Sequence, residues 1–429
     1  MRLATPQPPI DLWIEEPTHL DGDLLGFGAR LESSARRSIP LWFRFPARQG
    51  PKLTRLADPF VAATILYAMR ERRRLRVRGS ISTELLANLA DFQSAFCAFH
   101  PREFTPIDVE ADRVFSPSGF QRSPSGITAF SGGVDGSFSI YRHTHLSPIP
   151  AKRPLQAALL VHGFDVPLND PRTFNEIVNR CRAFTSDAGL SLYTAATNLR
   201  ALPLKWEVFF GSAVASALLF FQSAYTFALL PSAHSFHHLR LETGSNQLTD
   251  PLLSSGLMQI VHDGSAYGRI DKLQHLSNWP MAMRHLRVCW EGRTSENCCR
   301  CEKCLRTMLM LSVTGADDVP AFPHKLTPSV IENMSIPTLG GLHELEYLLS
   351  VSANETPRPW WHDALTRAVA RNRRYRRLQD FGRKSAHALP SSLRQGLVKV
   401  ARRILPRIPA AHRPPPFPTE APPLVSTRV

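Results

Sequence analysis

The sequence predicts an α/β protein built on a doubly wound parallel sheet with helices on both faces. Two observations predict it. Between residues 125 and 325, short apolar runs alternate with segments of helical spacing. The residues able to do chemistry then cluster just after those runs, where ligands of such sheets bind.

The apolar runs are Ile127–Phe130, Ala157–Val161 and Leu190–Ala196. Each is short and continuous, as expected of a strand buried on both faces. They end at Ser131, at His162-Gly163 and at Thr197-Asn198. Helical segments at 134–141 and 171–188 separate them. The uncharged stretch Val208–Leu230 is about long enough to span a bilayer. Ser212, Ser216, Gln222, Ser223 and Thr226 interrupt it, so it reads as a buried helix, and no transmembrane span is expected.

Residues 1–124 read as a small N-terminal α+β module. It has a strand at Leu41–Phe45, a helix at Phe60–Met69, a strand at Leu75–Gly79 and a helix from Ser82 to Phe99. Residues 326–378 read as a helical extension, and 379–429 as a basic, Pro-rich, largely disordered tail. The charge follows this division. Of the formal +15, residues 355–429 contribute +12, leaving +3 for the rest. A near-neutral body argues against a large nucleic-acid surface. Within the tail, Leu393, Leu397, Val400 and Ile404 recur at helical spacing among arginines. That pattern suits an anionic membrane surface or RNA phosphates.

The first strand runs into Ser131-Gly132-Gly133-Val134-Asp135-Gly136-Ser137 and then a helix. Two glycines allow a tight turn and close approach of a ligand. The free N–H groups and the helix dipole then favour a phosphate. Ser131 and Ser137 offer hydroxyls, and Asp135 is placed to hold Mg²⁺. The loop lacks a lysine. Arg269 and Lys272, three apart on a predicted helix, can supply the missing positive charge. Asp165 and Asn198, at the next two strand ends, are candidates for a ribose or substrate contact. His262-Asp263-Gly264 is a candidate substrate loop.

Seven cysteines are present, five of them between 289 and 304. Cys289, Cys298, Cys301 and Cys304 have the spacing of a closed tetrahedral Zn²⁺ site, with Cys299 left over. Arg287, Arg293, Arg300, Lys303 and Arg306 favour thiolates. Cys97 and Cys181 fall in apolar helical contexts and read as core. Clustered thiols without a disulfide framework suggest a reducing, cytoplasmic setting.

The segment Ser131–Asp135 resembles the SGGxDS loop of the PP-loop ATP pyrophosphatases, with Gly136 in place of the usual serine. That resemblance implies a Rossmann-like fold, ATP cleaved between its α and β phosphates, and adenylation of a substrate oxygen. The cysteine spacing downstream is similar to that of 7-cyano-7-deazaguanine synthase, over about residues 125–310. Together these imply a ligase-like enzyme using ATP, Mg²⁺ and Zn²⁺. A small-molecule carboxylate or carbonyl would be activated for a nitrogen nucleophile. Nucleobase or tRNA modification is the alternative, as is an ATP-binding module that has lost turnover.

Overall fold

The computed structural model describes residues 8–33, 37–117, 122–146, 152–291 and 295–387. Arg293 and the tail pattern at 393–404 lie outside them. The described chain forms two compact units, divided between Leu286 and Arg287.

The first unit is built on one sheet. Its strands are β1 Ile10–Ile14, β2 Thr18–Leu20, β3 Leu24–Ser33, β4 Arg37–Pro46, β5 Leu75–Ser82, β6 Val109–Phe115, β7 Gly126–Ala129, β8 Leu155–His162, β9 Ser191–Thr197, β10 Phe227–Pro231 and β11 Gln259–Asp263. Their order is β11-β10-β7-β8-β9-β4-β3-β1-β5-β6, with β2 beside β3. Strands β7 to β11 are mutually parallel. The flanking helices are α1 Asp58–Glu71, α2 Thr83–Phe99, α3 Val134–Thr144, α4 Pro171–Asp187, α5 Trp206–Leu219, α6 Arg269–Ser277 and α7 Pro280–His285. The five parallel strands with these helices are a Rossmann-like arrangement. Strand β7 is followed on one side by β8 and on the other by β10. The chain therefore reverses its direction of winding at the end of β7, and ligand crevices form at such points.

Residues 1–124 and the strands after 125 belong to the same sheet. β4 pairs antiparallel with β9 through Phe43↔Thr197 and Arg44↔Ala196. The side chains agree. Phe220, just past α5, lies 4.7 Å from Phe43, 5.1 Å from Phe27 and 5.6 Å from Phe60, ring centroid to centroid. These rings are buried in one continuous core. Burying such rings contributes about 2–3 kcal/mol each, so the two halves share one core.

The apolar stretch 208–230 is not a single helix. Helix α5 ends at Leu219, and β10 occupies 227–231. A buried strand and a buried helix are both apolar on all sides, so the composition did not mark the break. Among the described residues no helix is long and apolar enough to cross a membrane.

The second unit contains α8 Glu302–Val313, α9 Pro328–Glu332, α10 Leu339–Ser352 and α11 His362–His387. Four of the arginines behind the positive charge read from the sequence are engaged inside it. Arg367 and Arg373 pair with Glu332 and Glu346. Arg371 donates to the carbonyl of Met334 at 2.7 Å, and Arg376 to that of Pro337 at 2.6 Å. These arginines close the ends of neighbouring segments. They do not form a free basic face.

Candidate functional site

The loop between β7 and α3 sits at the winding reversal. Gly132 has φ +81°, a left-handed conformation that costs other residues energy. Gly133 caps α3 without a side chain. The helical ladder begins with the Ser137 N–H donating to the Gly133 carbonyl at 3.0 Å. The N–H groups of Val134, Asp135 and Gly136 therefore precede it, as at any helix start. The Ser137 hydroxyl is fully buried and has no hydrogen-bond partner among the described residues.

Asp135 stands in the first turn of α3 and meets both predicted cations. Arg269 Nη2 is 2.9 Å from one carboxylate oxygen and Lys272 Nζ is 3.0 Å from the other. Lys272 is 2% exposed. It also donates to the carbonyl and hydroxyl of Ser232, immediately after β10. Burial raises the Asp135 carboxyl, but Arg269, Lys272 and a smaller effect of nearby His234 outweigh it and hold it down at about 2. Asp135 is thus an anion at neutral pH, with both oxygens engaged.

A second buried network anchors α3 from behind. Asp263, at the end of β11, accepts from Ser139 at 2.7 Å, from Arg142 at 2.6 Å and pairs with His143 at 3.1 Å. Its neighbour His262 pairs with Asp250 at 2.7 Å. The expected substrate loop His262-Asp263-Gly264 is therefore used at its first two positions to fasten helix and connection to the sheet.

The other candidates are distributed along the strand ends. Asp165 is exposed on the turn after β8, near Arg200. The Asn198 side chain accepts from the Trp42 N–H and donates to the Pro40 carbonyl, both at 2.8 Å. It joins β9 to β4, two strands from β7 and so roughly 10 Å across the sheet. The structure brings Asp135, Arg269 and Lys272 together with the loop, and leaves Asp165 and Asn198 apart from that group. Ser232 and His234 were not singled out in the sequence. Their signal is positional, since they directly follow a strand end beside the reversal.

The four cysteines converge within the second unit. Their sulfurs all lie within 4.8 Å of one another. Cys298 Sγ is 3.9 Å from Cys304 Sγ, and Cys301 Sγ is 4.0 Å from Cys289 Sγ. A tetrahedral Zn²⁺ with bonds of about 2.3 Å needs sulfurs about 3.8 Å apart. The four thiols can therefore hold a metal ion such as zinc with little adjustment. Cys301 caps α8 and accepts from the Cys304 N–H at 3.5 Å. The Cys301 N–H in turn donates to Cys298 Sγ at 3.3 Å. Helix dipole and N–H donors both favour thiolates. Hydrogen bonds from Cys298, Cys301 and Cys304 hold the Cys289 thiol far below its ordinary range, while the same mutual contacts push the Cys301 and Cys304 thiols up.

Asn297 frames this centre. It accepts from the N–H groups of Val288 and Cys289, and donates to the Ala321 carbonyl. Cys299 stands outside the four, at φ +52°, and burial pushes its thiol up. Arg306 is paired with Glu302 and Glu344, and Lys303 lies over Trp290. Those two expected thiolate-stabilising charges are thus engaged elsewhere.

The chain matches no known family model, no curated protein and no solved structure. The functional reading therefore rests on the two sites themselves.

Proposed function

We propose that the first unit binds ATP on residues 131–137 and splits it to AMP and pyrophosphate. A substrate carboxylate or carbonyl oxygen attacks the α-phosphorus and pyrophosphate leaves. A nitrogen nucleophile then attacks the activated carbon, loses a proton and displaces AMP. One observation carries this reading. The N-terminus of α3 lies at the winding reversal, where Asp135 gathers the buried Lys272 and Arg269.

The arrangement supports an exchange of partners. Asp135 holds Lys272 and Arg269 before nucleotide arrives, one negative charge against two positive. Phosphate oxygens compete for those cations, which frees carboxylate oxygens of Asp135. Mg²⁺ held there would neutralise phosphate charge. Catalysis then rests on positioning and charge neutralisation. The cysteine centre would hold Zn²⁺ structurally, because four thiolates leave no open position.

The test is ATP binding by the full chain, followed by AMP and pyrophosphate release with a panel of carboxylic acids and ammonia. Ser131→Ala and Lys272→Met should each weaken binding. No ATP binding by the unaltered chain would sink the proposal.

A second reading is ATP binding without turnover, and Gly136 favours it. A Cβ at Gly136 would lie 3.2 Å from the Phe130 ring and 3.4 Å from the Ala129 carbonyl. A serine at this place would need the Phe130 ring to give way by a few tenths of an ångström, so packing disfavours the hydroxyl expected here. ATP binding with no AMP formed across the panel selects this reading.

A further inference from the structure

The four thiols of the metal centre come from two places in the chain. Cys298, Cys301 and Cys304 fall within seven residues at the start of α8. The N–H bonds of that turn to Cys298 Sγ and Cys301 Sγ already fix these three relative to one another. Cys289 comes from nine residues earlier, in the stretch 286–290, which belongs to no helix or strand. No regular ladder holds its backbone, yet its side chain is buried and its sulfur stands 4.0 Å from Cys301 Sγ. Buried backbone outside a ladder needs other partners for its N–H groups.

Asn297 is that partner. It is 2% exposed. Its Oδ1 accepts from the Val288 N–H at 2.9 Å and from the Cys289 N–H at 3.2 Å. Its Nδ2 donates to the Ala321 carbonyl at 2.9 Å. All three contacts agree on which end of the amide is oxygen, since only that end accepts and only the other donates. The same Oδ1 lies 4.0 Å from Cys304 Sγ, so the carboxamide stands directly behind the sulfurs. The main chain of Asn297 is braced as well, because its carbonyl accepts from the spare thiol, Cys299, at 3.5 Å. Asn297 also precedes Cys298 in the chain. It therefore couples the position of the lone ligand to that of the other three.

We infer that Asn297 is the positioning residue that recruits Cys289, and so decides whether the centre holds its metal with four thiolates or with three. It does not itself touch the metal. It acts through the Val288 and Cys289 N–H groups. Without its oxygen both bonds are lost, while the turn carrying the other three cysteines keeps its own. A three-thiolate centre has a fourth position open to water, which the closed four-thiolate centre lacks. The inference rests on the metal reading of the cysteines and not on the nucleotide reading of the first unit.

The test loads the full chain with cobalt(II) in place of zinc. It reads the thiolate-to-metal absorption, and the cobalt affinity by competition with a chelator. Asn297→Ala should lower that absorption by about one quarter, to the level of Cys289→Ser, as one of four thiolates is lost. Its cobalt affinity should fall roughly 10- to 100-fold. Adding Asn297→Ala to Cys289→Ser should weaken affinity no further, whereas an asparagine that merely supports the fold would add its own loss. Asn297→Asp keeps the accepting oxygen and should keep the four-thiolate spectrum. A four-thiolate spectrum in Asn297→Ala, additive losses in the double variant, or a three-thiolate spectrum in Asn297→Asp overturns the inference. So does loss of cobalt by both Asn297 variants where Cys289→Ser retains it. Failure of the unaltered chain to bind cobalt overturns the metal reading together with this inference, and leaves the ATP reading standing.

Discussion

Lys272 Nζ lies 3.0 Å from Asp135 Oδ1, and the same ammonium donates to Ser232. One buried cation therefore ties α6 to the start of α3 and to the end of β10. Lys272→Met should remove all these bonds and leave Asp135 with Arg269 alone. Truncating one member of a buried pair costs about 3–5 kcal/mol. Asp135 is partly open to solvent, so a loss of about 2 kcal/mol is expected. Urea unfolding of the single variants and of the Asp135→Asn/Lys272→Met double variant checks this. The double variant should lose less than the two singles combined.

The same pair sets a pH dependence. The Asp135 carboxyl is lowered from 3.8 to about 2 in the fold. A depressed carboxyl stabilises the protein fully above its unfolded value. That contribution fades as the pH falls from about 4 through about 2, as Asp135 takes up a proton. The shift corresponds to roughly 2 kcal/mol. The stability gap between the unaltered chain and Asp135→Asn should hold from pH 7 down to about 5 and close towards pH 2. Equal gaps at pH 5 and pH 2 would contradict this account.

For the cysteine centre, the sulfur spacing predicts one zinc per chain by elemental analysis. Cys301→Ser removes both a ligand and the cap of α8, and should abolish stoichiometric zinc. Cys299→Ser should leave it unchanged. Cobalt substitution should give the intense thiolate-to-metal absorption of a tetrahedral four-sulfur site. Retention of zinc by Cys301→Ser with loss in Cys299→Ser would reassign the ligands.

What the sequence made legible was local. The glycine turn after Phe130, the pair Arg269 and Lys272, and the spacing of the four cysteines are short-range patterns. Each led to a group that the fold brings together. Long-range pairing was not legible. Nothing in Leu41–Phe45 announces that Phe43 pairs with Thr197, because register between distant strands is set by whole-sheet packing. That pairing places residues 1–124 in the same sheet as the loop. Likewise, the chain divides into units at Leu286, whereas the sequence grouped the cysteines with the loop in 125–325. The charges near the cysteines were read from proximity in sequence, but Arg306 turns instead to Glu302 and Glu344.

Asn198 separates a structural role from a binding one. Both ends of its amide bond to β4 backbone, to Trp42 and Pro40. These bonds reinforce the antiparallel step between the two halves of the sheet, where only Phe43 and Arg44 are in register with β9. Asn198→Ala removes both and leaves the Trp42 N–H without that acceptor. Each lost bond costs roughly 1 kcal/mol, so a loss of about 2 kcal/mol is expected. If Asn198 instead served the nucleotide, the variant would weaken ATP binding while leaving stability nearly unchanged. The geometry predicts the reverse. Unfolding midpoint and ATP affinity, measured on the same preparation of Asn198→Ala, distinguish the two roles directly.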